Sequence, residues 1–449
     1  MRLLFLIHRL PCPPDRGSKV RAAVELQHLA RRHEVWCAGF LDSPGLTAVR
    51  ESLEQVRALC REVWAVPLRR SIAAARAMGR LVAGGTCTEG YFASRRLRRQ
   101  VLRWSRQVRF DAVLAFSSSM APLALQVAAD RRVLDLDDLD SRKWAECAQR
   151  AGWPMSWVYR TEARRLGGRE REWIAAFDAS VLVNKREADL LADEAMRRRV
   201  HVIEAGVPLA NGAGLCGPAG ENESGRRIAP APLPEEPMVG FIGAMDYPPN
   251  VDAVCWFAEA IWPRVQQRRP DAKWLVVGRS PTRAVRKLDG VRGIRVTGTV
   301  PAVEPYLDRI RVSVAPLRLS RGVQIKVLVA MAAGRPCVVT PSVAEGLGAR
   351  SGHELVTANS AACFAEAVVS LLDDRVRAEA IGRAGRRFVV HRVQSGRGLA
   401  RLEELLCPNG RARLSRTHVR GSPIGPDHFQ PVRGEPTRGV VSSGCRCDQ

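Results

Sequence analysis

The sequence predicts an α/β protein built from two doubly wound domains that face each other across a cleft. Three observations carry that prediction. Short apolar runs alternate with helix-like segments through the first half. An aperiodic stretch, NGAGLCGPAGENESGRRIAPAPLPEEP at 211–237, then breaks the pattern. The alternation restarts and continues to about residue 390. Parallel strands need long crossovers, usually helices, so regular strand–helix alternation implies parallel sheets covered on both faces.

In the first half the runs at 3–7, 34–40, 112–116, 132–136, 179–183 and 200–204 have strand length. They are nearly continuous in apolar residues, as strands buried on both faces are. Helical segments fill 18–31, 119–129, 157–176 and 185–192. In the second half strands are expected at 238–243, 273–278, 294–297, 311–315, 337–340 and 354–357, with helices at 251–267, 303–307, 323–333, 363–372 and 375–389. Residues 211–237, rich in Gly, Pro and Ala, read as a linker. From residue 407 the chain is rich in Gly, Pro and Arg without apolar period, and reads as a disordered basic tail.

Composition narrows the class. The 449 residues suit two domains, each with its own core. No apolar run is long enough to cross a bilayer. Leu3 to Ile7 is too short for a signal-peptide core and reads as a first strand, which implies a cytoplasmic protein. The 12 cysteines are scattered without a CxxC, and the 8 histidines lack metal-ligand spacing, so free thiols and no metal are expected. The net charge is +24, and all but six of the 70 basic residues are arginine. Residues 69–110 hold eleven arginines against the single acid Glu89. Interleaved with Ile72, Met78, Leu81, Val82, Tyr91, Phe92, Leu97 and Trp104, they suit an anionic membrane surface or an anionic lipid-linked ligand. A pair of solvated helices is the plainer reading. No nucleic-acid motif accompanies the charge, and no nucleic-acid partner is expected.

The candidate site residues follow the ends of strands, where doubly wound sheets bind ligands. HRLPCPPDRGSKVRAA at 8–23 places Gly17 before a helix that carries Lys19 and Arg21. VLDLDDLDSRKW at 133–144 ends a strand with Asp135, Asp137, Asp138 and Asp140, then Lys143 and Trp144; such clustered acids are costly unless solvated, paired or used, the alternative being helix capping by Asp140 or Ser141 with ion pairing to Arg142 and Lys143. FIGAMDYPPNVDAVCWF at 241–257 repeats the strand, glycine and Pro-rich turn with Gly243 and Asn250. VVGRSPTRAVRKL at 276–288 brings Gly278 and Arg279. SRGVQIKVLVAMAAGRPCVV at 320–339 reads as loop, helix, turn and strand. Arg321, Gly322 and Lys326 stand where a helix start attracts anions, so a fork-shaped guanidinium and a mobile ammonium there can hold a diphosphate.

GAMDYPPNVDAVCWF, VGRSPTRAVRKL, VTGTV, VAPLRLSRGVQIKVLVAMAAGRPCVVT and AEGL, with HRLPCPPDRGSKVR, DLDDLDSRKW and WVYRTEARRLGGRERE in the first half, resemble family 4 glycosyltransferases of GT-B fold. The resemblance is to the subgroup associated with PEP-CTERM/exosortase exopolysaccharide loci and covers about residues 1–405. It implies two Rossmann-like domains: an acceptor-side domain at 1–210 and a nucleotide-sugar domain at 238–390. A helix at 391–406 is expected to pack back on the first domain. The activity implied is retaining sugar transfer, without metal or cofactor, from a nucleoside-diphosphate sugar to a glycan or lipid-linked acceptor. Arg321 and Lys326 would bind the donor diphosphate, and Gly17 would face the donor. Gly243, Asn250, Gly278, Arg279, Gly322 and Glu345 stand on the donor side; Lys19, Arg21, Asp138, Asp140 and Lys143 stand on the acceptor side. Val329 occupies the place where the family has a glutamate that contacts the donor ribose, so the alternative is a catalytically impaired scaffold of the same fold.

Overall fold

The computed structural model describes residues 1–12, 17–42, 46–191, 194–203, 232–300, 302–318, 323–394 and 397–408. Most of the expected linker, nearly all of the basic tail, Arg321 and Gly322 lie outside them.

The first sheet contains β1 (Arg2–Ile7), β2 (Glu34–Leu41), β3 (Glu62–Pro67), β4 (Phe110–Phe116), β5 (Ala129–Asp137), β6 (Ala179–Leu182) and β7 (Val200–Val202). The second contains β8 (Met238–Ile242), β9 (Lys273–Val277), β10 (Ile294–Val296), β11 (Val312–Ala315), β12 (Cys337–Val339) and β13 (Val356–Thr357). Their orders are β3-β2-β1-β4-β5-β6-β7 and β10-β9-β8-β11-β12-β13. Every named pairing is parallel, for example Phe5 with Cys37 and with Leu114, and Val239 with Trp274. Both sheets are therefore doubly wound, reversing direction between β1 and β4 and between β8 and β11.

β1 is buried from Leu3 onward, and Leu3, Phe5 and Ile7 face one core while Leu4 and Leu6 face another. That two-sided burial explains why the run lacks polar alternation. The second lobe closes around a single large core that includes Phe241, Phe257, Trp262, Trp274 and Val338.

The structure corrects several expected elements. β3 is a seventh strand that the sequence did not suggest; its burial alternates, with Glu62 and Trp64 exposed, as an edge strand's does. The helix expected at 119–129 is instead one turn at Ser118–Met120 and a short helix at Ala121–Ala124, after which β5 begins at Ala129. The helix expected at 251–267 starts three residues earlier, at Pro248, and widens into a π turn at Phe257–Ile261 just before Pro263. Proline has no N–H to donate and its ring crowds the preceding turn, which the wider turn relieves.

Helix Arg397–Leu406 packs on the first lobe. Leu402, Leu405 and Leu406 join the core that contains Leu3 and Phe5. Glu403 accepts from Arg32 at 3.0 Å and lies 3.0 Å from the ring of His28.

Candidate functional site

Ligands of doubly wound sheets sit at the carboxyl ends of the strands, where the strand order reverses. In the second lobe that point lies between β8 and β11. The Pro-rich turn after β8 places Tyr247 as an extended N-cap and Pro248 and Pro249 at the helix start, where proline's fixed φ fits. Asn250 is thereby carried inward and is 3% exposed. Its amide Nδ2 donates to the Ala244 carbonyl at 2.9 Å, which leaves Oδ1 to accept from Lys326 Nζ at 2.5 Å. Lys326 is the second residue of helix Ile325–Ala332, and its Nζ lies 5.3 Å from the ring centre of Phe241 on β8. Burial alone pushes this ammonium down to about 7. A carboxylate nearby would have opposed that shift.

Gly278 and Gly243 line the same edge. A Cβ at Gly278 would stand 1.6 Å from the Gly243 carbonyl oxygen, so glycine is demanded there by the neighbouring backbone. Arg279 follows; its carbonyl accepts from Met245 N at 2.9 Å and its guanidinium lies 4.0 Å from Asp246. Arg318, after β11, donates to both carboxylate oxygens of Asp252 and lies over Trp256. Glu345 is exposed on helix Pro341–Leu347. Val329 is partly buried against the lobe's core.

In the first lobe the order reverses between β1 and β4. His8 follows β1, its ring parallel to Phe116 at 6.1 Å and edge-on to Phe92 at 5.5 Å. Its Nδ1 is buried without a hydrogen-bond partner. Burial first, then the charge of Arg9, lowers this imidazole to about 3, so it stays neutral. After β4 and β5, Ser118 Oγ donates to Asp140 at 2.8 Å, and Lys143 also bonds Asp140. Burial opposes ionisation of Asp140, but Lys143 and Ser118 together hold it below the usual range. Asp138 is pushed well up by burial and by Asp137, Glu187 and Asp140, and its Oδ1 has no partner. Ser117 and Ser280, at φ 82° and 52°, follow β4 and β9, and Asp137, at φ 64°, ends β5, so backbone strain collects at these strand ends.

Two expected acceptor-side residues are turned inward. Lys19 is 3% exposed and lies 2.7 Å from Asp42. Arg21 bonds Glu25 at 2.7 Å, Asp135 at 2.5 Å and Asp137 at 3.2 Å, so it neutralises the acids under the strand ends. The lobes meet at Gly17, where an added Cβ would come within 3.2 Å of Ile325 Cγ1, next to Lys326. Tyr247 also spans them: burial raises its phenol, with Lys143 opposing and Cys147, Asp138 and Glu146 adding.

A cavity of about 410 Å³ lined by Leu347, His353, Glu354, Arg387, Phe388 and His391 lies elsewhere. It borders helix Arg375–Gln394, whose Arg386 bonds the Ala332 carbonyl before β12 begins, which puts it near the amino end of that strand. Among the described residues no group of three or more His, Cys, Asp or Glu is placed to hold a metal ion.

Residues 236–374 match the family model described as "Glycosyl transferases group 1". TarM of S. aureus, solved as a mutant with fondaparinux, α-GlcNAc-glycerol and UDP, aligns with a TM-score of 0.61 at 9% identity, over 90% of this chain and 99% of its own. HepE of Anabaena, solved with UDP and glucose, gives 0.58 at 11%, over 90% and 98%. Sucrose-phosphate synthase of Thermosynechococcus elongatus gives 0.59 at 14%, over 90% and 98%. The fold is GT-B. No curated protein is significantly similar in sequence. Lys326 lies at the switch point of the second sheet, and His8, Asp138 and Asp140 lie at the carboxyl ends of first-sheet strands around its switch point.

The sequence named Lys326 and Asn250 separately but did not pair them, and it missed Phe241 and His8. His8 was legible as the first residue beyond β1; Phe241 looked only like core.

Proposed function

We propose that this chain is a retaining glycosyltransferase of family 4. It moves a sugar from a nucleoside-diphosphate sugar to a glycan or lipid-linked acceptor, in an exopolysaccharide pathway of the PEP-CTERM/exosortase type. It works in the cytoplasm, peripherally on the membrane. The observation that carries the reading is Lys326: a desolvated ammonium, oriented by Asn250 and with no acid paired to it among the described residues, at the switch point of the second lobe. The family match over residues 236–374 supports it.

In this reading the donor diphosphate rests against Lys326, with Arg321 and the helix start as further donors. The bond from the sugar's anomeric carbon to the diphosphate oxygen breaks as the acceptor hydroxyl oxygen bonds that carbon on the same face. The hydroxyl proton passes to the departing diphosphate oxygen. Lys326 stabilises the charge that develops there, and no carboxylate nucleophile is required. Asp138 and Asp140 hold hydroxyls from the opposite wall. Calorimetry with UDP, GDP and their sugars tests this: binding is expected for one of them, and no binding at millimolar concentration ends the reading.

Val329 favours a second reading. An apolar side chain packed on the core cannot accept from a ribose hydroxyl, which removes about 1.5–3 kcal/mol of donor binding. An impaired scaffold of the same fold would show turnover only in Val329→Glu.

A further inference from the structure

The 69–110 stretch, one basic and apolar unit in the sequence, is divided by the fold. Helix Arg70–Val82 buries Ala73, Ala77 and Leu81 and leaves Ile72, Met78 and Val82 exposed. Helix Arg95–Gln107 instead confines its buried residues to one side. Leu97, Val101 and Trp104 pack inward, and Trp104 Nε1 donates to Glu62 at 2.7 Å. Arg95, Arg96, Arg99, Arg103 and Arg106 are exposed. Of these, Arg95, Arg99, Arg103 and Arg106 follow one another at steps of four, four and three residues, so they form one row opposite the buried face. The row is about 16 Å long at the helical rise of roughly 1.5 Å per residue. None of the five arginines has an ion-pair or hydrogen-bond partner among the described residues.

The stability of the fold gives no reason for this row. The helix contains no acid. Like charges one helical turn apart repel, and cations in the first turn oppose the helix dipole. The helix is held by other means: Ser94 Oγ accepts from Leu97 N at 3.3 Å, and the buried stripe anchors it to the lobe.

The row also has a direction. Phe92, three residues before Arg95, lies 5.5 Å from the ring of His8 at the first sheet's switch point. Trp104 meets Glu62, the first residue of β3, and the chain then enters β4 at Phe110. The far end of the helix therefore lies at the amino ends of the strands. The arginines lead from beside His8 away along the side of the first lobe.

We propose that this row holds an acidic polysaccharide, a carboxylate-bearing chain whose growing end is the acceptor. The inference rests on the glycosyltransferase reading and deepens it by naming the charge class of the acceptor. An extended polyanion matches an extended row of cations, and the planar guanidinium fork matches a carboxylate. Two other polyanions fit less well. A helix resting in a bilayer surface needs exposed apolar residues on its outer face, and every exposed residue of Arg95–Gln107 is arginine or glutamine. Single-stranded nucleic acid needs aromatic side chains on which its bases stack, and the tryptophan of this helix, Trp104, is 2% exposed.

The full chain is titrated with a labelled oligogalacturonate, read by fluorescence anisotropy at low salt. Neutral dextran, oligodeoxythymidylate and phosphatidylserine vesicles are the comparisons. The galacturonate should bind more tightly than any of the three. Arg95→Gln/Arg99→Gln/Arg103→Gln/Arg106→Gln should lose about ten- to a hundredfold in affinity, the scale of four exposed charge contacts. It should melt no lower than the parent, because it relieves repulsion. Removing the same charge from the second lobe, with Arg283→Gln/Arg286→Gln/Arg295→Gln/Arg309→Gln, should change the affinity little. Equal losses in the two variants, or dextran bound as tightly as the galacturonate, would overturn the row as a site. Tighter binding of the oligodeoxythymidylate or of the vesicles would overturn the choice of partner. A chain that binds UDP by calorimetry but not the galacturonate sinks this inference alone, whereas absence of nucleotide binding sinks the reading beneath it.

Discussion

At Lys326 burial and the proposed function pull in opposite directions. An ammonium pushed down to about 7 is half neutral at physiological pH, and a bound diphosphate would restore its charge. Nucleotide binding should therefore take up a proton above about pH 7, and affinity should fall about tenfold per pH unit there. Calorimetry of UDP in buffers of different ionisation enthalpy measures the uptake, and Lys326→Ala should abolish it while weakening binding about ten- to a hundredfold. A second titration is expected at Glu170. It is 2% exposed, accepts from Ser141, and is raised to about 8 mainly by burial. A carboxyl whose folded pKa is raised stabilises the fold fully at low pH and loses that contribution as pH rises through the folded value. Thermal stability should thus decline between about pH 4 and 8, and Glu170→Gln should flatten that decline. The sequence marked Lys326 by its place at a helix start. It did not mark Glu170, which lies in a run of charged residues, RLGGRERE, that reads as solvated helix.

Turn chemistry made several elements readable. The prolines after Tyr247 read as a loop with a helix from 251, whereas the structure takes both into the first turn of a helix that starts at Pro248, where proline's fixed φ fits. The resemblance puts the glycine after β9, Gly278, on the donor side, and the structure gives it a cause within the fold: the Gly243 carbonyl fills the space a side chain would need. Gly278→Ala should destabilise the second lobe by about 2 kcal/mol or more in urea unfolding, because the obstruction is backbone and cannot rotate away. Helix Arg70–Val82 shows the limit of periodicity. Two apolar stripes on one helix look like a uniformly apolar and basic segment until the lobe selects which stripe to bury.

Over the whole molecule, helix Arg397–Leu406 ties the end of the described chain to the first lobe. Leu402 is fully buried among first-lobe core residues. Leu402→Ala should cost about 2–5 kcal/mol. Arg32→Ala, which removes an exposed partner of Glu403, should cost less than about 1 kcal/mol. Chemical denaturation of the two variants checks the contrast.

The sequence by itself determined two parallel sheets, most of their strands, and a lysine at a helix start beyond β11. Apolar runs and turn residues encode those features locally. Only the tertiary structure decided that Lys326 is desolvated and aimed by Asn250, 76 positions away in the chain. It also decided that Lys19 and Arg21 turn inward, and that Arg70 and Asp246 line one cavity. Burial, field and orientation belong to whichever distant elements meet at a point, and sequence spacing alone does not specify that meeting.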